Sequence, residues 1–172
     1  EILREQLKSR NIRTYVTVDA GYFEALEVNT FVSLMRIIDH AHQDIPLAAV
    51  MKSALCGFTS DELVCIRAFA GVDTAFCDAV RLYEAEGPDR ELRKKVESFL
   101  KDYEAIRSMN LNRDIDRVIE AIYDRTGFYL YCAALPGGER RASNLDMLMT
   151  YAAQYEAGQS SGLFSFVRYI EQ

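Results

Sequence analysis

The feature that most constrains the fold is a succession of apolar stripes at helical spacing, each closed by a turn signal. The stretch 34–63 shows it best: an apolar segment, the polar break at 39–44, a second apolar segment, and a turn leading into Thr59. Apolar residues that recur at steps of three and four share one face of an α-helix. The pattern predicts a mainly α, multi-helix domain.

Turn signals place the helix boundaries. Pro46 is expected in the first turn of one helix, and Thr59 or Ser60 at the cap of the next. Gly127 is expected to end a later helix, and the Leu-Pro-Gly-Gly sequence at 135–138 is the sharpest break in the chain. A narrow apolar seam is predicted on a long charged helix, formed by Leu92, Val96, Phe99, Tyr103 and Ile106.

The N-terminal part has a different pattern. Residues 12–18 alternate and are rich in β-branched side chains, which predicts one short strand after a helix end. A single strand cannot form a sheet alone, so its partner strands are expected outside these 172 residues. The chain is therefore expected to be a segment of a longer polypeptide.

Composition excludes several classes of protein. With 49% hydrophobic and 27% charged residues, the chain is not broadly disordered. Its net charge of −6 argues against a surface that binds nucleic acid everywhere, and restricts any DNA contact to small patches. No apolar run approaches the roughly 20 residues that cross a bilayer, and no secretory signal is present, so a cytoplasmic location without membrane contact is expected.

No catalytic or cofactor motif occurs: phosphate loops, dinucleotide-binding glycine motifs, zinc-protease motifs and nucleophile elbows are all absent from the sequence. His40 and His42, between Asp39 and Asp44, are the best metal candidates, but neighbouring residues in one turn seldom converge on an ion without a ligand from elsewhere. A solvated turn is favoured, so no metal site is predicted. The four cysteines lack paired spacing and are expected to be free thiols, mostly buried.

Two stretches could bind phosphate. The turn before residue 63 combines a cation and hydroxyls with the amides of a helix start, and the 135–141 loop combines glycines with arginines. For the turn before residue 63, the alternative to phosphate binding is plain helix capping. For the 135–141 loop, the alternative is a solvated basic turn. The C-terminal aromatics could stack on bases, although their helical spacing favours packing in the core. The candidate DNA-contacting residues are Lys52, Ser53, Gly57, Thr59, Arg140 and Arg141.

Several blocks, in order, carry a family resemblance: 22–28, 34–39, 43–50, 57–63, 134–145 and 162–171. In these blocks the chain resembles superfamily 1 DNA helicases of the UvrD/PcrA type, and within them the AddA-type helicase–nuclease subunits. The resemblance covers essentially the whole chain. The Gly-Ile-Gly turn by which such lobes approach duplex DNA aligns here with Ala54-Leu55-Cys56, followed by Gly57.

The resemblance implies that residues 1–24 end the RecA-like domain 2A and that residues 25–172 form the helical 2B insertion. It further implies a non-catalytic, regulatory lobe that contacts duplex DNA in an ATP-dependent helicase–exonuclease of double-strand break repair. No cofactor is expected in this segment, and ATP and Mg²⁺ are expected elsewhere in the parent protein. The expected partners are double-stranded DNA, the other helicase domains and a second nuclease subunit.

An alternative is a helical protein-interaction module. In that interpretation the charged helix at 89–107, with its apolar seam, docks a second protein chain. Charged residues such as Lys94, Lys95 and Lys101 would border the docking face.

Overall fold

The computed structural model describes residues 22–110, 114–158 and 162–170. Every regular element within these ranges is an α-helix, which confirms the mainly α fold. The helices are α1 (Leu26–Asp39), α2 (Asp44–Lys52), α3 (Ser60–Ala70), α4 (Phe76–Glu86), α5 (Arg90–Asn110), α6 (Ile115–Thr126), α7 (Phe128–Ala134), α8 (Gly138–Ala157) and α9 (Leu163–Ile170). The strand predicted at residues 12–18 lies outside the described residues, as does most of the proposed segment 1–24.

Helix α1 is the centre of the fold. It contacts α2, α5, α8 and α9, and it is buried on nearly all sides. Phe31, Met35 and Ile37 are fully buried, as expected for a helix that is apolar around most of its circumference. Leu26, at the first position of α1, is 71% exposed.

The predicted seam on α5 is confirmed, and it faces the interior of this chain. Leu92, Val96, Tyr103 and Ile106 are buried, whereas Phe99 is half-buried. The Tyr103 hydroxyl donates a hydrogen bond of 2.6 Å to the Ile37 carbonyl in α1. The seam is therefore part of the core and does not present an apolar surface to a partner.

Helices α6 to α9 close the other side of α1. Gly127 ends α6 in the left-handed conformation, as predicted, with φ at 64°. A separate short helix, α7, follows it directly; the aromatic stretch contains no boundary signal beyond Gly127. Leu145, Leu148 and Ala152 of α8 are buried in the core.

In the part of the chain that the structure describes, no helix has both the length and the apolar character needed to cross a membrane.

Candidate nucleic-acid interface

The six candidate residues fall at two separate places in the fold. Lys52, Ser53, Gly57 and Thr59 share the α2–α3 turn, at residues 52–59. Arg140 and Arg141 lie in the first turn of α8, beside the N-terminus of α1. The structure thus brings the first four together and separates them from the two arginines.

Ser53 organises the start of the α2–α3 turn. Its backbone N–H closes α2 on the carbonyls of Ala49 and Val50, and its hydroxyl donates to the Val50 carbonyl at 2.6 Å. The same oxygen accepts from the Leu55 N–H at 3.2 Å. A hydroxyl held in this way shapes the turn from within, so Ser53 acts on the turn geometry.

Gly57 allows the turn to reverse. Its φ of 66° lies in the left-handed region, and its N–H donates to the Ser53 carbonyl at 2.7 Å. A Cβ built on Gly57 would meet no atom within 4 Å, so the backbone here is open to an approaching ligand. The next residue, Phe58, turns inward, is 3% exposed, and donates its N–H to the Met51 carbonyl.

Thr59 caps α3, as predicted. Its side chain accepts from the Glu62 N–H at 3.1 Å, and the Glu62 carboxylate accepts from the Thr59 N–H at 2.7 Å. This reciprocal pair is a capping box, which satisfies two amides of the turn and helix start. The amides of Ser60 and Asp61 remain as first-turn donors that helix geometry leaves without an intrahelical partner.

Lys95 of α5 completes the turn and is absent from the predicted set. Its ammonium donates to the Gly57 carbonyl at 2.9 Å and to the Glu62 carboxylate at 2.7 Å. It also lies 4.6 Å from the centroid of the Phe58 ring. Lys95 comes from 33 residues beyond Glu62, so no local signal could have indicated this contact.

The Lys95 ammonium also affects the acidity of Glu62. Its hydrogen bond is the main cause of a lowered pKa at Glu62, and the backbone N–H of Thr59 adds to the effect. The carboxylate therefore stays charged to lower pH than usual. Two acidic side chains, Asp61 and Glu62, lie in the first turn of α3 and weaken the attraction of this helix start for a phosphate.

Lys52 is the cation of the turn that is available to a ligand. It is exposed at the last position of α2, and it makes no ion pair or hydrogen bond with any residue that the structure describes. Lysines on a surface of this kind can reach a phosphate as point charges. Lys52 is therefore the residue here best suited to touch a DNA backbone.

The two arginines of the 135–141 loop have different environments. Arg140 is exposed, and its side chain has no partner among the described residues. Arg141 donates to the Glu27 carboxylate at 2.7 Å, and Asn144 donates to the other oxygen of that carboxylate at 2.7 Å. The guanidinium of Arg141 is thus engaged inside the fold, while that of Arg140 is open to a ligand.

The aromatic side chains pack mainly against one another, as the helical spacing predicts. Phe31 packs against Tyr123 with ring centroids 4.9 Å apart, and Tyr155 packs against Phe166 at 5.5 Å. Phe31 and Phe166 are fully buried. These rings stabilise the core, whereas Tyr131 and Tyr169 are 46% and 50% exposed.

The four thiols are free, as predicted. Cys77 and Cys132 are buried, Cys56 is partly buried and Cys65 is exposed. Burial raises the pKa of Cys132 to about 11 and that of Cys56 to about 12. Thiolates are the reactive form of cysteine, so burial makes these two thiols inert at neutral pH.

Comparison with known proteins gives a consistent result over the whole chain. The chain is 38% identical over 172 residues to the ATP-dependent helicase/nuclease AddA of Bacillus velezensis, covering 99% of this chain and 14% of that protein. It is 39% identical over 181 residues to the protein of the same name from Heliobacterium modesticaldum, covering 100% of this chain and 13% of that protein. The protein of that name from Clostridioides difficile is 37% identical over 184 residues. No family model matches the chain.

These identities extend along essentially the whole chain, so the relatives are homologues of it. The chain spans about one-seventh of the length of each of the three. It therefore corresponds to one segment of a much longer protein type, in agreement with the AddA-type resemblance.

Proposed function

Since the chain is homologous along its length to one segment of the ATP-dependent helicase/nuclease AddA, we propose that it forms a non-catalytic lobe that contacts duplex DNA. In this proposal, residues 25–172 are the lobe and residues 1–24 end the preceding motor domain. The parent protein unwinds and degrades DNA with ATP and Mg²⁺ bound outside this segment. It works in the cytoplasm together with a second nuclease subunit.

The observation that supports DNA contact is the exposed cation at the α2–α3 turn. Lys52 is free of partners among the described residues and lies at the start of the turn that continues through the open backbone of Gly57 to the amides at the start of α3. A lysine and helix-start amides together can hold one backbone phosphate. Arg140, also exposed, offers a second contact at the start of α8.

The contact is weak in the isolated chain. The net charge of −6 and the two carboxylates in the first turn of α3 oppose a polyanion. Only a few cations contribute, so the DNA contact depends on salt and little on sequence. This behaviour suits a lobe that touches DNA transiently while the motor domains hold it.

A salt titration tests the proposal. Binding of the chain to a fluorescent duplex is measured by anisotropy at several salt concentrations, for the wild type and for Lys52→Ala. Loss of one phosphate contact is expected to reduce the slope of log K against log salt by about 0.9. Lys94→Ala is the matched control, because Lys94 is exposed and paired with Glu91 in α5, 3.0 Å away.

Equal slopes for the wild type and Lys52→Ala would reject the turn as a phosphate contact. Arg140→Ala, measured in the same way, decides whether the α8 start contributes. The isolated chain is also expected to hydrolyse no ATP, and measurable hydrolysis by the purified chain would contradict its assignment as a non-catalytic lobe.

A further inference from the structure

The turn between α1 and α2 meets the start of α4, and three ligand-type side chains converge there. His42 Nε2 lies 3.7 Å from Asp78 Oδ1, and Cys77 Sγ also lies 3.7 Å from Asp78 Oδ1. The three ligand atoms all lie within 4.8 Å of one another. The sequence predicts no metal site in this turn because it shows no ligand from another element, and α4 supplies two.

We propose that His42, Cys77 and Asp78 form a zinc site that clamps the α1–α2 turn to α4. Tetrahedral zinc with bonds of about 2.0–2.3 Å holds its ligand atoms about 3.4–3.6 Å apart. The two separations of 3.7 Å come within a few tenths of an ångström of that geometry. The third pair, His42 Nε2 and Cys77 Sγ, lies within 4.8 Å, so the exposed His42 side chain must rotate to bring all three atoms onto one ion.

The chemical types of the three ligands favour one kind of ion. A thiolate, an imidazole and a carboxylate combine soft and borderline ligands, which suit zinc and do not suit Mg²⁺ or Ca²⁺. One thiolate and one carboxylate also balance the two positive charges of the ion. The side chains of His42 and Asp78 are 58% and 54% exposed, so water can reach the ion and complete the tetrahedron.

The start of α4 is held in place independently of any ion. Asp44, at the start of α2, accepts from the Phe76 N–H at 2.8 Å and from the Arg67 guanidinium at 3.2 Å. These bonds fix the first turn of α4, on which Cys77 and Asp78 lie, against α2. Two of the three ligands therefore stand on a rigid support.

The surroundings indicate a structural role for the site. The cavity that adjoins Cys77 has a volume of about 20 Å³, which leaves no room for a substrate. Cys77 is 8% exposed, whereas the side chains of His42 and Asp78 are 58% and 54% exposed. An ion can enter from solvent and draw the exposed pair toward the buried thiol, which ties the turn to the helix.

Zinc titration of the chelator-stripped chain by calorimetry, with thermal unfolding in parallel, tests the proposal. One zinc per chain is expected, together with a rise in Tm. His42→Gln and Asp78→Asn change exposed side chains, so they leave the fold intact, and each is expected to weaken zinc binding more than about 10-fold. Cys65→Ser is the matched control, because Cys65 is an exposed thiol outside the cluster, and it is expected to bind zinc as the wild type does.

Cobalt substitution provides a second readout. Bound Co²⁺ is expected to show a thiolate-to-metal charge-transfer band that disappears in Cys77→Ser and persists in Cys65→Ser. Zinc affinity that is unchanged in Asp78→Asn and His42→Gln would overturn the proposal. A band that survives in Cys77→Ser, or zinc heat indistinguishable from buffer, would also overturn it.

Discussion

Glu27 shows how one residue joins distant parts of this chain. The carboxylate is 5% exposed in the first turn of α1, and both of its oxygens accept hydrogen bonds, one from Arg141 and one from Asn144. A buried charge is tolerated only when it is paired and hydrogen-bonded. These partners come from more than 110 residues along the chain, so Glu27 fixes α8 against α1.

Removal of the Arg141 side chain should therefore lower the stability of the fold. We expect Arg141→Ala to lower the free energy of unfolding by about 3 kcal/mol, because the Glu27 carboxylate would keep only Asn144 as a partner. Urea unfolding measures the effect. Arg140→Ala, at the adjacent exposed position, should change stability by less than about 0.5 kcal/mol. Equal effects of the two substitutions would contradict the structural role of Arg141.

Because the pKa of Glu62 is lowered in the folded chain, we expect the stability of the chain to depend on pH through the α2–α3 turn. Its folded-state pKa lies below the ordinary value of 4.5 because Lys95 and the Thr59 N–H stabilise the carboxylate. The resulting stabilisation is complete above pH 4.5 and is lost as the pH falls through the lowered folded-state pKa. The pair lies at the surface, so the stabilisation should not exceed about 1 kcal/mol.

Glu62→Gln removes this titration. Urea unfolding of the wild type and of Glu62→Gln between pH 3 and pH 6 should give a stability difference that is largest above about pH 4.5 and shrinks toward acid. Glu91→Gln is the control, since Glu91 makes its pair with Lys94 on the exposed face of one helix. A difference that stays constant over the whole range would exclude the proposed role of Lys95.

At the scale of the helix, local signals are enough to define several boundaries. Thr59 followed three residues later by Glu62 is a capping-box sequence, and the structure has the cap there. Gly127 ends α6 because only a residue tolerant of positive φ suits that position. By contrast, Lys95 contacts Gly57 and Glu62 from another helix, and His42 meets Asp78 from another element, so no pattern within one helix contains these contacts.

The α7–α8 junction gives a prediction at this scale. Gly138 begins α8 so close to α7 that a Cβ would overlap the Ala133 carbonyl, which is backbone and cannot rotate away. We therefore expect Gly138→Ala to destabilise the chain by about 2–3 kcal/mol in urea unfolding. Gly158→Ala, at the other end of α8, would place its Cβ 3.3 Å from the Tyr155 carbonyl. This substitution should therefore destabilise the chain clearly less than Gly138→Ala does.

At the scale of the whole molecule, the sequence predicts the class of fold but not its centre. Apolar periodicity assigns one face to each helix, and Phe31, Leu34, Met35 and Ile38 of α1 are buried as that face requires. It does not show that Ile37 and the polar Ser33 on other faces of α1 are buried as well. That burial comes from the packing of α2, α5, α8 and α9 around one helix, which depends on tertiary contacts.

Because one helix lies at the centre of the fold, we expect the two sides of the domain to unfold together. The chain contains no tryptophan, so one introduced residue reports on its own surroundings. Phe69→Trp on α3 and Tyr131→Trp on α7 replace aromatics that are 38% and 46% exposed. Helix α3 packs against α2, and α7 packs against α8, so the two probes lie next to different neighbours of α1. Their urea unfolding midpoints should coincide with each other and with the loss of helix measured by circular dichroism.

Because α1 is central, a core substitution in this helix is expected to destabilise both sides of the domain. Met35 is fully buried in α1, so Met35→Ala should cost about 2–5 kcal/mol. Because α1 contacts both sides, this substitution should lower the midpoints of the α3 and α7 tryptophan probes by equal amounts. A shift confined to one probe would mean that the helices on that side form a unit that unfolds separately.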